Sequence, residues 1–165
     1  MTKIELSELS NIPECTTGAP LPVVVSDEEH VYLIYYSQDD DSSYYGEYPA
    51  SINRRVNGIC AIITFEFCRI YKFGSPNDET LHGHPLYKYG LKHYSAFSIK
   101  NSPWINEVQQ INKVHSSHNS KMFEKDRHYI WTFQDSTFEC ISENYSHRVV
   151  HGSMSEVIKS TVNSF

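Results

Sequence analysis

The sequence has no long apolar run, which argues against a transmembrane helix. No stretch approaches the ~18 apolar residues that a membrane span needs. The first residues, MTKIELSELSNIPE, are partly acidic and lack the apolar segment of a secretory signal. The 4 cysteines include no C-x-x-C pair, and most lie in strand-like segments, where a free thiol behaves as a small buried hydrophobe. We therefore expect a cytoplasmic protein with no membrane partner and with reduced thiols, a disulfide between strands being the alternative.

Signatures of common enzyme classes are also missing. The chain has no G-x-S-x-G, P-loop, G-x-G-x-x-G or H-E-x-x-H motif, which are the patterns that position a nucleophilic serine, a phosphate, a dinucleotide or a catalytic zinc ion. Clustered basic residues are scarce, with Arg54-Arg55 the one adjacent pair and a formal net charge of -6. Binding to a phosphate backbone needs such clusters. We expect no nucleic-acid partner and favour a protein partner, of basic character.

Aromatic residues, in contrast, are abundant, with 12 Tyr, 8 Phe and 2 Trp in 165 residues. Each buried aromatic side chain removes roughly 150–250 Å² from water, so a sizeable core is available. The length suits one domain. We predict a single domain over 1–165, with an irregular lead-in over 1–20 that holds a helical turn at Ile4–Leu9, an irregular loop over 37–57 and a C-terminal helix over 153–164.

Alternating apolar residues predict the strands. Leu21–Val25 and Val31–Tyr36 are joined by a short polar link and predict a hairpin. Val31–Tyr36 is apolar on both faces, which is typical of an interior strand. Gly58–Phe73 is the longest run with period two, and its length predicts a bend or bulge near Cys68-Arg69.

Two helices have clear start signals. Ser102-Pro103 supplies an N-cap residue and a first-turn proline for a helix over 103–115. Ser153-x-x-Glu156 is a capping box for the C-terminal helix. A short helical piece is also expected over Ser120–Arg127. Together the patterns predict an α+β fold, a mostly antiparallel sheet of about five to six strands with two main helices packed on it.

The segment His128–Glu143 predicts a second hairpin that turns at Asp135-Ser136. A two-residue turn there places Thr132 opposite Glu139, and a slightly longer turn fits as well. One face then carries the core side chains Tyr129, Trp131, Phe133, Phe138 and Cys140. The other carries Ile130, Thr132, Gln134, Thr137, Glu139 and Ile141. A one-residue slip would mix the two faces. The polar face is either an ordinary solvent-facing surface or the floor of a pocket.

Histidine is the residue type most able to supply chemistry here, since the chain has 9. On an extended segment His82 and His84 would point to the same side, and with Asp135 or Glu139 they could bind zinc or another divalent ion. His128, Asp135 and Glu139 are the candidate acid–base residues. The simpler interpretation is that such histidines bond backbone carbonyls in turns. We therefore expect no cofactor, with a divalent metal such as zinc as the alternative.

The irregular loop is the candidate binding surface. Tyrosines beside acids make adaptable contacts, here suited to a basic partner, whereas a long loop of this kind is otherwise simply solvated. The candidate binding residues in it are Asp39, Asp40, Asp41, Tyr44, Tyr45 and Tyr48.

Three segments resemble an uncharacterised family of small bacterial proteins: Leu81–Leu86 (LHGHPL), Asn101–Ile105 (NSPWI) and His128–Cys140. The family pattern joins an HGHPL-type loop, an N-S-x-W-I helix start and an H-Y-x-x-T-F-x-D-S-T-F-E-C hairpin. The resemblance covers roughly residues 74–143, and Gln134 stands where the pattern has His. It implies no assigned activity, so it transfers no catalytic residue to this chain.

The sequence therefore predicts a small cytoplasmic protein-interaction protein, with an immunity-type inhibitor of a toxin domain as its specific form. The alternative is a metal-dependent or general acid–base enzyme that uses the His82/His84 loop and the Asp135–Glu139 hairpin.

Overall fold

Nine strands and two α-helices form the part of the chain that the computed structural model describes, residues 3–38 and 57–164. Short 3-10 helices lie at Asp78–Gly83, Tyr87–Tyr89 and Ser120–Phe123. The strands are β1 (Glu5–Glu8), β2 (Val23–Ser26), β3 (Val31–Tyr36), β4 (Asn57–Glu66), β5 (Ile70–Gly74), β6 (Ala96–Lys100), β7 (Arg127–Thr132), β8 (Thr137–Ser142) and β9 (Asn144–Ser153), and the helices are α1 (Pro103–Asn112) and α2 (Met154–Val162).

The strands belong to two antiparallel sheets. One has five strands in the order β1-β6-β7-β8-β5, and the other has four in the order β2-β3-β4-β9. The α+β class is confirmed, as are the β2–β3 hairpin and the interior position of β3. The difference from the sequence prediction is that the strands are shared between two sheets rather than collected in one.

The division into two sheets arises inside the segment that was predicted as one long strand. β4 ends at Glu66 in the four-stranded sheet, and β5 begins at Ile70 in the five-stranded sheet. Between them Phe67 has a positive φ of 51°, a backbone conformation that ends the pleat of a strand. The predicted bend is therefore present, and it carries the chain from one sheet to the other.

The main core lies between the two sheets. Phe65 of β4 contributes its ring to the contact, with its centroid 5.4 Å from that of Trp131 and 5.1 Å from that of Phe138. The outer face of the four-stranded sheet is covered by α2, through Met154 and Val157. A third cluster, on the outer face of the five-stranded sheet, is covered by the segment around the first two 3-10 helices and comprises Leu81, Leu86, Leu91, Phe97, Ile99 and Ile130.

The helix starts are confirmed and one prediction near the N-terminus is wrong. Ser102 caps α1, with Pro103 in the first turn, and Ser153 and Glu156 form the predicted capping box of α2. The lead-in over 1–20 was predicted to hold a helical turn at Ile4–Leu9. The structure instead has β1 there, paired with β6, because the edge of the five-stranded sheet offers backbone partners that a single helical turn lacks.

The β7–β8 hairpin has the predicted faces and the longer turn that the sequence left open, so its register differs from that of a two-residue turn. Its turn comprises residues 133–136. A hydrogen bond from the Phe133 N–H to the Ser136 carbonyl oxygen, 2.8 Å long, closes the turn. Glu139 therefore lies opposite Ile130 rather than Thr132. A shift of two residues leaves every side chain on its own face, so the predicted core face packs between the sheets as expected.

Candidate functional site

Three of the candidate side chains meet on the outer face of the five-stranded sheet. The Nε2 atom of His128 donates to Oε2 of Glu139 at 2.9 Å, and Nε2 of His84 donates to Oε1 at 3.2 Å. The three side chains are nearly buried, with His128 4% exposed, His84 8% exposed and Glu139 13% exposed. The carboxylate is thus held between two imidazoles in a nearly closed site.

Strand register brings two of these groups together. His128 pairs with Ile141 and Glu139 with Ile130, so His128 and Glu139 are diagonal neighbours on one face, within reach of long side chains. The predicted two-residue turn would have moved Glu139 further along the strand. His84 arrives from the other side, directly after the 3-10 helix Asp78–Gly83.

The chain of hydrogen bonds continues to the start of α1. Ser102 Oγ lies 2.8 Å from Nδ1 of His128 and accepts the Trp104 N–H at 3.2 Å. The Trp104 ring stands edge-on to the His128 ring, with centroids 5.0 Å apart, and Lys72 Nζ lies 3.9 Å from the Trp104 ring centroid. We call the set Ser102, His128, Glu139 and His84 the Glu139 network.

Ser102 was predicted only as a helix cap, so its second role is one that sequence reasoning missed. Three sequence segments singled out above, Leu81–Leu86, Asn101–Ile105 and His128–Cys140, supply His84, Ser102 with Trp104, and His128 with Glu139. These segments converge on one place in the fold.

Each nitrogen of the two imidazoles has a partner. Nδ1 of His84 accepts the Leu86 N–H at 3.2 Å, which leaves its proton on Nε2, facing Glu139. His128 bonds Glu139 through Nε2 and Ser102 through Nδ1. Acid–base catalysis needs a ring nitrogen within reach of the substrate. Both imidazoles instead direct their nitrogens at the protein, and Ser102 is buried.

Electrostatics fix Glu139 as an anion. Burial raises the pKa of the Glu139 carboxyl, but the hydrogen bonds from His128 and His84 more than offset this and lower the pKa to about 2. A carboxylate with so low a pKa is a weak proton acceptor at neutral pH and a strong hydrogen-bond acceptor. The network is therefore suited to holding β7, β8, α1 and the His84 loop together.

The other predicted acid–base and metal residues lie elsewhere. His82 is exposed on a 3-10 helix, so it does not alternate with His84 as on an extended segment. Asp135 lines a separate open cleft of about 550 Å³, whose lining residues are Asn77, Asp78, Glu79, His93, Gln134 and Asp135. Within residues 3–38 and 57–164 no three His, Cys, Asp or Glu side chains are grouped to hold a metal ion.

The groups in this cleft hold the turn of the hairpin. The Asp78 N–H donates to the Gln134 carbonyl at 2.7 Å, and the Tyr94 hydroxyl donates to Asp78 Oδ2 at 2.6 Å. The latter bond, with a smaller effect of burial, raises the pKa of Tyr94 to about 12. The candidate binding residues Asp39, Asp40, Asp41, Tyr44, Tyr45 and Tyr48 lie outside the described residues.

An apolar surface that sequence reasoning missed surrounds β5. Its large side chains are exposed, with Phe67 at 74%, Ile70 at 37%, Tyr71 at 38% and Phe73 at 43%. Among the strands of residues 3–38 and 57–164, β5 is the last of its sheet and pairs with β8 alone. Within these residues its other side therefore presents unpaired backbone N–H and C=O groups. We call Phe67, Ile70, Tyr71, Lys72 and Phe73 the β5 edge.

No family model matches the chain, and no curated protein or solved structure matches it either. None of the helices in the described ranges has the length and apolar character needed to cross a membrane. Function is therefore argued from the geometry of the sites.

Proposed function

We propose that the protein is a protein-binding domain and that the β5 edge is its contact surface. The observation that carries the proposal is the concentration of exposed apolar side chains on and beside an edge strand of the described sheet. Natural edge strands are usually short, charged or covered, and this one carries a single charged residue, Lys72. Such an edge suits an extended segment of a partner, which adds a strand through backbone hydrogen bonds and places its side chains against the aromatic ones.

The Glu139 network contacts the β5 edge through Lys72. Lys72 is the cross-strand neighbour of Glu139, and its ammonium lies over the Trp104 ring, which itself contacts His128. Through Lys72, β5 is thus tied to the buried Glu139 network. A surface that such contacts hold in place loses less conformational entropy on binding than a mobile one.

The specific form of the proposal is an immunity-type inhibitor of a toxin domain, acting in the cytoplasm. Its support is the small size and the formal net charge of -6, which attracts a basic protein over long range and repels nucleic acid. The aromatic β5 edge would then supply the short-range contact, since Tyr and Phe are enriched at interfaces. The resemblance to the HGHPL-loop family is part of this proposal as a structural pattern without an assigned activity.

Photo-crosslinking tests the surface directly. A benzophenone amino acid is placed at Phe67 or Phe73 in the full chain, crosslinked in the native cell and analysed by mass spectrometry. Val114 is the matched control, because it is apolar, 92% exposed and located after α1. We expect one protein to crosslink from both β5 positions and not from the control.

The crosslinked protein must then bind in purified form. Purified partner that binds the wild type but loses affinity for the Tyr71→Ala and Phe73→Ala double variant supports the proposal. Two results would refute the proposal. One is crosslinking of the same proteins from Val114, and the other is a partner whose affinity for the double variant equals its affinity for the wild type.

The alternative function is a metal-dependent or acid–base enzyme at the Glu139 network. The observation in its favour is the meeting of two imidazoles and a carboxylate. It has weaker support than binding, because both nitrogens of each imidazole are engaged and Asp135 belongs to another cleft. Elemental analysis of protein purified without chelators, together with isothermal titration of zinc, tests it. Stoichiometric metal that is lost in His84→Ala would favour the enzyme.

A further inference from the structure

The hydrogen bonds of β8 show which backbone groups of β5 are free. Successive residues of an antiparallel strand direct their N–H and C=O groups alternately to its two sides. The Ile141 carbonyl accepts the Arg69 N–H at 2.8 Å and so faces β5, whereas the Ser136 carbonyl, directly before β8, accepts the Phe133 N–H and faces β7. The two bonds agree, because Ser136 and Ile141 are an odd number of positions apart. The odd-numbered residues of β8 therefore bond to β5 and the even-numbered residues to β7.

Tyr71 and Phe73 are the β5 residues whose backbone groups face the open edge. Lys72 is the Cα partner of Glu139, an odd-numbered residue of β8, so the Lys72 N–H and C=O face β8. Its two neighbours direct their groups the opposite way, where no strand of the described chain lies. They offer two donors and two acceptors, with the two residues roughly 7 Å apart along the strand. A segment that adds to this edge bonds to these groups.

The side chains of the same two residues lie on the face of the core. Their cross-strand neighbours are Cys140 for Tyr71 and Phe138 for Phe73, and both of these belong to the core between the sheets. The Tyr71 ring stacks on that of Phe138 with centroids 6.0 Å apart, and its hydroxyl lies 2.8 Å from Ser26 Oγ in β2. Tyr71 and Phe73 are nevertheless 38% and 43% exposed. Side chains of an added strand on this face meet aromatic rings and are therefore apolar.

Lys72 lies on the outer face, beside Glu139. Its ammonium is 3.9 Å from the Trp104 ring centroid, and within the described residues it forms no ion pair. The Glu139 carboxylate is occupied by His84 and His128. The single charge of β5 thus has an aromatic partner and no carboxylate partner there. The residue of an added strand opposite Lys72 lies on the same face and is close enough to supply a carboxylate.

We propose that the partner of the β5 edge contributes an extended segment with the pattern apolar–acidic–apolar, an inference that rests on the proposed function. The segment adds antiparallel to β5, as the described strands of this sheet do to one another. Its two apolar residues bond to the backbone of Tyr71 and Phe73 and pack on their rings, and the Asp or Glu between them pairs with Lys72. The net charge of -6 attracts a basic protein as a whole, whereas this acidic residue is a local contact that fixes the register.

Two synthetic peptides, titrated into the nitrogen-15-labelled full chain at low salt, test this pattern by NMR. Both peptides alternate Thr and Val over nine residues and differ only at the central outer-face position, which is Glu in one and Lys in the other. We expect the Glu peptide to bind about tenfold more tightly, because opposite charges across a strand pair attract and like charges repel. The amide signals of Tyr71 and Phe73 should shift more than that of Lys72, with Val114 as the remote control.

Lys72→Gln separates the charge from the backbone contacts. This variant should bind both peptides alike, with the same shifts at Tyr71 and Phe73. Three results for the wild type would overturn the inference: equal affinity for the two peptides, no binding of the Glu peptide at millimolar concentration, or shifts that do not include Tyr71 and Phe73. None of them would affect a partner crosslinked through the β5 edge, so the inference can fail while the proposed function stands. The wild-type comparison decides the question even if the variant does not fold.

Discussion

At the scale of single residues, Glu139 is the side chain on which the network depends, since each carboxylate oxygen accepts one imidazole N–H. Removing one partner of a buried charged group leaves the others unpaired, which costs about 3–5 kcal/mol in comparable cases. The structural role of the ionised carboxylate can therefore be tested by replacing it with an amide.

Replacing Glu139 with Gln should lower the free energy of unfolding by about 3 kcal/mol at neutral pH, because the amide NH₂ group would face an imidazole N–H. Urea denaturation followed by tryptophan fluorescence measures the change. Glu107→Gln, on the exposed side of α1, is the matched control and should change stability by less than about 0.5 kcal/mol. Equal effects of the two substitutions would contradict the structural role of the network.

The low pKa of Glu139 also predicts how stability depends on pH. A carboxyl group whose pKa falls from 4.5 when unfolded to about 2 when folded contributes stability that is present above about pH 4.5. That contribution, about 3 kcal/mol, is lost as the pH falls toward 2. The difference between wild type and Glu139→Gln should therefore shrink between these pH values. A difference that stays constant from pH 6 to pH 3 would be inconsistent with the lowered pKa.

Two phenylalanines allow the core to be compared with the proposed contact surface. Phe133 is buried, with its ring centroid 5.3 Å from that of Tyr35, whereas Phe67 is 74% exposed. Phe133→Ala should destabilise the fold by about 3–5 kcal/mol, and Phe67→Ala by less than about 0.5 kcal/mol. Thermal unfolding of both variants measures this. A strongly destabilised Phe67→Ala protein would show that Phe67 is a structural residue instead of a free contact residue.

At the scale of elements, α1 depends on the network as well as on its own cap. Ser102→Ala removes the acceptor of the Trp104 N–H and the partner of His128, and we expect a loss of about 1–2 kcal/mol. Ser153→Ala, which removes the cap of α2, is the comparison. Hydrogen exchange should show α1 opening in the first variant and α2 in the second. Unchanged protection of α1 in Ser102→Ala would exclude the coupling.

The elements show which parts of the fold could be predicted from the sequence. The two faces of the β7–β8 hairpin were predicted because alternation has period two, so an error of two residues in the register leaves them unchanged. β1 was missed because its sequence, ELSE, alternates too weakly to reveal a strand. The helix caps were predicted because side-chain oxygens act within one turn.

At the scale of the whole molecule, the two-sheet arrangement and the Glu139 network could not be predicted, because both depend on contacts between distant segments. The positive φ of Phe67 sends the chain into the second sheet, and no local pattern specifies this. His84 and Glu139 are 55 residues apart in sequence. The pairing of His84 with Glu139 requires the sheet, its register and the covering loop at the same time.

The β5 edge is likewise a property of the whole molecule, since β5 is an edge only in the assembled sheet order. Its role as contact surface is the central claim, and the affinity of the purified crosslinked partner for Phe67→Lys tests it most directly. Val114→Lys is the control, because both side chains are apolar and highly exposed. We predict that Phe67→Lys weakens binding at least about 30-fold, as for a hot-spot residue, and that Val114→Lys binds as the wild type does. Equal affinity of the two variants would contradict the claim.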